Sequence, residues 1–155
     1  MVLASVLMPK GGAWIQLILF TNQPATVPQT IVEYLKSLKP VLSPYLIRGK
    51  LSPAARDGRQ LFAQAGCVNC HVPGLFTDLR PHDVGTRVVY DRPTDKFYTP
   101  TLIEAWRTAP YLHNGSAATI RDVITKCSSQ SGLHGDAEGL TDRQIDDLCS
   151  YVLSL

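Results

Sequence analysis

The sequence predicts an all-α domain whose helices are joined by long loops. Apolar residues recur at helical spacing in several segments that begin with capping residues. Between these segments the chain is rich in Pro, Gly, Asp and Thr and shows no sustained periodicity. With 155 residues, 45% of them apolar, the chain can form one core. We expect a domain at 46–155, preceded at 1–45 by an amino-terminal arm or the remnant of another domain.

The first two helices are predicted from apolar spacing and from their start signals. Ile31–Leu38 has one apolar face, and Thr26 or Gln29 can start this helix. Ser52 can cap a second helix over Pro53–Ala65, because a serine side chain accepts from free N–H groups and proline suits the first turn.

The last two helices have the strongest start signals. Thr119, with Asp122 three residues on, can cap a helix that runs to Cys127. Thr141 and Gln144 have the spacing of a capping box at the start of the final helix. The buried stripe of this helix is predicted to contain Ile145, Leu148, Cys149 and Val152.

The middle of the chain is predicted to be mostly loop. Val72–Thr99 has no helical or strand period, and a short helical pattern follows at Pro100–Arg107. Long ordered loops in compact domains usually have a functional reason, and wrapping a large flat cofactor would be one.

Residues 67–71 read Cys-Val-Asn-Cys-His, which is the C-x-x-C-H spacing of covalent haem attachment. Cys67 and Cys70 lie on one turn and can each form a thioether with a porphyrin vinyl group. His71 is then held beneath the iron and can bind it axially. The motif therefore predicts one covalently bound haem c, with His71 as an iron ligand.

Two other uses of this cysteine pair are weaker. A thioredoxin-like redox pair would need a βαβ pattern, which the sequence lacks. A zinc site would need a second pair of ligands, whereas His113, Cys127 and His134 are scattered.

Further blocks of sequence resemble a known family. Gly58–Phe62, leading into the C-x-x-C-H motif, looks like the start of a cytochrome c domain. Trp106–Ser116 contains T-A-P-Y-x-H-x-G-S. Together with the capped final helix, it resembles the carboxy-terminal domain of the bacterial di-haem cytochrome c peroxidase superfamily, which includes the enzymes that mature methylamine dehydrogenase. The resemblance covers roughly residue 50 to the end.

The resemblance implies a cytochrome c-like helical domain with long haem-wrapping loops around one haem. It implies that Arg107, Tyr111 and His113 lie at the haem, with Arg107 or Trp106 near its propionates. Family members use this haem chiefly to relay electrons, and their peroxidatic haem lies in a separate amino-terminal domain with its own C-x-x-C-H. This chain has a single C-x-x-C-H. We therefore expect electron transfer, with a peroxidase-like enzyme or the electron-relay fragment of a larger di-haem protein as the alternative.

The second axial ligand decides between these functions, because an iron with two strong ligands transfers electrons with little rearrangement. His134 is the favoured candidate, since it lies between Gly132 and Gly135, which let the backbone approach a flat ring. The resemblance also implies a ligand near this position.

Three other residues remain candidates for this ligand. His113 is the rival imidazole, although a role in organising its loop is equally compatible with the sequence. Cys127 falls near the family's distal position. Met8 would have to reach the haem from the amino-terminal arm, and no methionine follows the haem motif. His82 is interpreted as a solvated side chain.

Cys127 and Cys149 lie on the buried sides of two predicted helices and are expected to form a disulfide. A disulfide and covalent haem attachment both indicate a periplasmic or otherwise extracytoplasmic protein. Its expected partner is a redox protein or another domain of a longer polypeptide.

The charge and hydropathy patterns exclude two classes of partner. A net charge of +2 without a basic run gives no sign of nucleic-acid binding. Neither apolar half of Met1–Phe20 is long enough to span a bilayer.

Overall fold

The structure is a computed structural model that describes residue 24 and residues 26–128 and 133–155, apart from the side chains at positions 28, 127 and 128. It divides into two compact units, Met1–Pro40 and Val41–Leu155. The domain boundary predicted after residue 45 stays a prediction. Within the described residues, no helix is both long and apolar enough to cross a membrane.

The described residues form four α-helices, two short 3-10 turns and one small sheet. The helices are α1 (Thr26–Ser37) in the first unit, and α2 (Pro53–Gln64), α3 (Ile120–Ser128) and α4 (Asp142–Leu153) in the second. The 3-10 turns are Cys67–Asn69 and Ala105–Arg107, and the strands are β1 (Pro81–His82) and β2 (Phe97–Tyr98).

The fold is mostly helical, so the all-α prediction needs one correction. β1 and β2 pair antiparallel, with Pro81 opposite Tyr98 and His82 opposite Phe97. This ladder joins the middle of the predicted long loop to its end. Two residues per strand are too few to produce a visible alternation in the sequence.

The helix predicted over Pro100–Arg107 is wrong in extent, because only its last three residues form a 3-10 turn. Glu104 has a φ of 63°, in the left-handed region, which a right-handed helix cannot pass through. Its N–H donates to the carbonyl of Leu155 at 3.2 Å, so the chain end fixes this break.

The predicted helix starts are confirmed. The Ser52 side chain accepts from the N–H of Ala55 at 3.0 Å at the start of α2. The N–H of Asp122 donates to the hydroxyl of Thr119 at 3.0 Å before α3. Thr141 and Gln144 form both hydrogen bonds of the capping box of α4.

The core of the larger unit lies where α2 crosses α4. Phe62 of α2 meets Tyr151 of α4 edge-to-face, with ring centroids 5.3 Å apart, and Leu148 is only 2% exposed. Gly58 lies at the crossing. A Cβ at this position would overlap the backbone carbonyl of Asp147, so the two helix backbones are in direct contact.

The capping box of α4 gives a test of the fold. Replacing Thr141 with alanine leaves the N–H of Gln144 without its side-chain acceptor, so the free energy of unfolding should fall by about 1 kcal/mol. Chemical denaturation followed by circular dichroism measures the change. Thr125→Ala, inside α3, removes no cap and is the matched control; equal losses in both variants would contradict the capping role.

Candidate functional site

A cavity of about 480 Å³ opens beside α2 and α4 in the larger unit. This volume is in the range of small-molecule and cofactor sites. Leu148 and Val152 of α4 form part of its wall, and the chain between α2 and α3 supplies much of the rest. Every cofactor-binding residue predicted from the sequence except Arg107 lines this cavity: Cys67, Cys70, His71, Tyr111, His113 and His134.

The two cysteines of the haem motif face the cavity from the turn after α2. Gly66 has a φ of 73°, which lets the chain leave the helix and enter the 3-10 turn that carries both cysteines. Both side chains are free thiols. Burial raises the pKa of Cys67 to about 11, and burial and the nearby Asp78 also raise the pKa of Cys70. Both are therefore protonated at neutral pH, available for addition to vinyl groups.

His71 is buried and held in one orientation. Its Nδ1 lies 3.0 Å from the carbonyl oxygen of Phe76. Because a carbonyl can only accept, Nδ1 carries the proton and Nε2 keeps its lone pair for a metal. The ring of Phe62 packs near His71, with centroids 6.4 Å apart. Burial lowers the pKa of His71, which favours the neutral imidazole that a metal requires.

His134 faces the same cavity. Its buried Nδ1 has no hydrogen-bond partner among the described residues. Burial, reinforced by the nearby His71, lowers the pKa of His134 to about 4. The imidazole is therefore neutral at pH 7, as a metal ligand must be.

The two imidazoles are separated by the distance that one metal ion needs. The ring centroids of His71 and His134 are 6.3 Å apart. Two metal–nitrogen bonds of about 2 Å, with each nitrogen roughly 1 Å from its ring centroid, also give about 6 Å. The spacing of the two rings and the unpartnered, buried Nδ1 of His134 fit a haem iron between them.

The backbone around His134 is docked against the end of α2. The N–H of Asp136 donates to the carbonyl of Ala65 at 2.9 Å. Gly135 has a φ of 77°, and a Cβ there would lie 3.3 Å from that carbonyl and 3.5 Å from the sulfur of Cys67. Gly135 therefore lies against the end of α2 and beside Cys67, and the approach of this backbone to a flat ring stays a prediction.

His113 lines the cavity, but both of its ring nitrogens already contact other side chains. Its Nε2 lies 2.9 Å from a carboxylate oxygen of Asp91, and its Nδ1 lies 3.3 Å from the hydroxyl of Thr86. It also stacks on Phe97, with ring centroids 3.6 Å apart and an interplanar angle of 12°. These contacts favour the loop-organising role over ligation.

Tyr111 also lines the cavity, and its hydroxyl donates to the carbonyl of Ala105 at 2.8 Å. Arg107 is not brought to the cavity: it is exposed, forms an ion pair with Glu104 and lies over the ring of Trp106 at 5.6 Å. The predicted contact of Arg107 with the propionates has no support in this geometry.

Two predicted candidates for the second axial ligand, Met8 and Cys127, stay predictions. Met8 and the side chain of Cys127 lie outside the described residues. Cys149 is buried, and its predicted disulfide with Cys127 stays a prediction, because the side chain of Cys127 lies outside the described residues.

His82 lines the cavity although its sequence context did not indicate this. It was interpreted as solvated, but its ring lines the cavity and its Nε2 lies 2.7 Å from a carboxylate oxygen of Asp78. The Asp78–His82 spacing of four residues resembles many solvated pairs. His82 belongs to β1, and it lines the cavity together with Phe97, its partner in β2.

Comparisons with known proteins find cytochrome c-like relatives of this chain. Residues 97–130 match the family described as RoxA-like, cytochrome c-like. The chain is 26% identical over 171 residues to hydrazine synthase subunit gamma of Kuenenia stuttgartiensis, which covers 82% of this chain and 48% of the relative.

Two further relatives have similar or shorter matches. Cytochrome-c peroxidase IdrP1 of Denitromonas iodatirespirans is 26% identical over 156 residues, covering 70% of this chain and 42% of the relative. Methylamine utilization protein MauG of Methylorubrum extorquens is 31% identical over 83 residues, covering 45% of this chain and 24% of the relative. The chain thus spans about half the length of these relatives, or less.

The solved structure of Kuenenia stuttgartiensis hydrazine synthase, pressurised with xenon, superimposes with a TM-score of 0.71 at 25% identity. The match covers 86% of this chain and 56% of the solved one. The fold is therefore cytochrome c-like, and the cofactor is haem c.

Proposed function

Because the chain contains a c-type cytochrome domain of the MauG and di-haem cytochrome c peroxidase superfamily, we propose that it transfers electrons through one covalently bound haem with His71 and His134 as axial ligands. The observation that carries the proposal is the pair of neutral imidazoles in one cavity whose ring centroids lie 6.3 Å apart. A haem held in this way supplies a one-electron carrier whose iron has no open position.

Each surrounding residue has a part in holding such a carrier rigid. Cys67 and Cys70 fix one edge of the ring covalently. The carbonyl of Phe76 orients His71 through Nδ1, and this hydrogen bond strengthens the imidazole as a donor. Gly135 permits the close approach that sets His134 in place. An iron with one histidine ligand on each side of the haem would need little rearrangement when it gains or loses an electron.

The spin state of the ferric protein tests this ligand set. The wild type should be low-spin, and His134→Ala should be high-spin, because the variant leaves one strong axial ligand. Absorption and electron paramagnetic resonance spectra at pH 7 measure the change. A high-spin wild type, or a His134→Ala variant that stays low-spin, would contradict His134 as the ligand.

Two further variants sharpen the test. Glu138→Ala changes an exposed side chain of the same segment and should keep the low-spin spectrum. His113→Ala separates the rival ligands, since both ring nitrogens of His113 already have protein partners. A change to high spin in His113→Ala and not in His134→Ala would assign the ligand to His113 instead.

A second candidate function is an electron-relay domain within a longer peroxidase-like protein. The length comparison favours it, since the match covers only 42% of cytochrome-c peroxidase IdrP1. In that case the partner is another domain of the polypeptide; otherwise it is a separate redox protein. Either function places the protein in an extracytoplasmic compartment, where c-type haem is attached in bacteria.

A further inference from the structure

An exposed apolar turn projects from the long loop that contributes to the cavity wall. The side chains of Val89 and Tyr90 are 87% and 93% exposed, at the tip of a turn that runs from Val88 to Asp91. Apolar residues scattered singly over a surface are normal, whereas these two are adjacent. Because they bury almost no area, they contribute little to the stability of the fold. The proposed ligand set gives them no role.

Hydrogen bonds within the loop hold this turn in shape. The N–H of Asp91 donates to the carbonyl of Val88 at 2.9 Å, and the N–H of Val88 donates to the carboxylate of Asp91 at 2.7 Å. In a second turn, the N–H of Asp95 donates to the carbonyl of Arg92 at 3.0 Å. The guanidinium of Arg87 donates to the carbonyl of Asp95 at 3.1 Å and so links the two turns. A preformed loop loses little conformational entropy when it binds.

One histidine of the cavity wall holds the loop 88–96 at three points. Nε2 of His113 lies 2.9 Å from the carboxylate of Asp91, within the loop. Its Nδ1 lies 3.3 Å from the hydroxyl of Thr86, just before the loop, and its ring stacks on Phe97, just after it. Thr86 and Phe97 line the cavity as well. The loop therefore leaves the cavity wall and returns to it, so a protein bound at its tip lies beside the cavity.

The most exposed charges of the loop are positive. Arg92 and Lys96 are exposed and form no ion pair among the described residues, although the charge of Lys96 also acts on Asp83. The two carboxylates of the loop, Asp91 and Asp95, are only partly exposed and accept hydrogen bonds from within it. A partner thus meets an apolar tip beside two cations, which is complementary to an apolar area with an acidic rim.

We propose that the loop 88–96 is the docking site of the redox partner, and that this partner has acidic residues around an apolar contact area. Val89 and Tyr90 pack against the apolar area, in keeping with the enrichment of aromatic residues in interface cores. Arg92 and Lys96 steer the encounter. One electron passes between the partner and the haem, and no proton or other group moves with it. This inference rests on the proposed electron-transfer function.

The second-order rate constant of electron transfer tests the docking site. The reduced holoprotein is mixed by stopped flow with oxidised plastocyanin, a copper protein with an acidic surface patch, or with mitochondrial cytochrome c, which is basic. Each probe accepts one electron. The rate constant for plastocyanin should fall as salt is added, because salt screens an attraction, whereas that for cytochrome c should rise or stay unchanged.

Two double variants of the loop separate its apolar and charged parts. Val89→Ser with Tyr90→Ser should lower the rate constant for plastocyanin by about tenfold at every salt concentration. Arg92→Glu with Lys96→Glu should lower it by about tenfold at low salt and much less at high salt. All four side chains are exposed, so both variants should keep the spectrum and the reduction potential of the wild type.

Two matched controls change similar side chains elsewhere in the larger unit. Leu42→Ser removes an apolar side chain that is 77% exposed, and Arg56→Glu reverses an exposed charge of α2. Both should react as the wild type does. Unchanged rate constants in the loop variants, equal losses in the controls, or a plastocyanin reaction that salt does not slow would overturn the docking proposal alone.

Two further outcomes separate this proposal from its alternatives. A wild type that sediments as a dimer, with a Tyr90→Ser variant that sediments as a monomer, would assign the loop to contact with a second copy and overturn docking of a redox partner. The absence of any reversible one-electron couple in the holoprotein would overturn the proposed function and the docking site with it.

Discussion

Replacing Gly58 with alanine should destabilise the domain by about 3 kcal/mol or more and sharply lower the yield of holoprotein. The added Cβ would overlap the carbonyl of Asp147 and approach the Cα of Leu148 to 3.0 Å. Both neighbours are backbone atoms and cannot turn aside, so α2 and α4 would have to separate. Alanine gains roughly 1 kcal/mol over glycine inside a helix, which is too little to offset this clash.

Thermal and chemical denaturation of purified holoprotein measure the effect of Gly58→Ala. Asp57→Ala is the matched control, because it changes the adjacent exposed residue of α2 without adding an atom at the crossing. If Gly58→Ala is as stable as Asp57→Ala, the two helices are not in backbone contact as described.

Replacing Cys67 and Cys70 together with alanine should abolish covalent attachment and leave little folded protein. Without a haem the cavity of about 480 Å³ is unfilled. At about 24 cal/mol per Å³, a dry void of that size would correspond to on the order of 10 kcal/mol as an upper limit, comparable to the whole stability of a small domain.

Extraction with acid acetone and mass spectrometry measure the attachment. Haem should stay with the wild-type polypeptide and be lost from any double variant that can be isolated. The single variants Cys67→Ala and Cys70→Ala are internal controls, since each retains one thioether and should keep part of its haem. A double variant that retains haem through extraction would show that these cysteines are not the attachment points.

The elements that could be predicted from sequence are those fixed by local chemistry. The capping residues of α2, α3 and α4 form hydrogen bonds within a few residues, so their patterns are readable without the fold. The break at Glu104 was missed because a long-range hydrogen bond to the carbonyl of Leu155 accompanies it. Local apolar spacing carries no record of such a contact.

The candidate site follows the same rule: residues of one continuous motif could be predicted, and positions that depend on distant contacts could not. Cys67, Cys70 and His71 belong to one continuous motif, whereas the opposed position of His134 depends on the docking of its loop against Ala65. Gly135, next to His134, indicated only that the backbone can approach another group closely at this position. Arg107 does not line the cavity, because its side chain pairs with Glu104 at the surface, and its predicted place at the propionates stays a prediction. The cavity position of His82 follows from a two-residue ladder that leaves no sequence signal.

The contribution of α4 to the cavity wall has a consequence for the order of maturation. Leu148 and Val152 belong to the last of the four helices in chain order, and they close a cavity whose cysteines lie before the long loop. The C-x-x-C-H segment therefore precedes, in chain order, the wall that covers it. Because α4 closes the cavity from the other end of the domain, we expect the haem to reach both thiols before α4 packs in its final position.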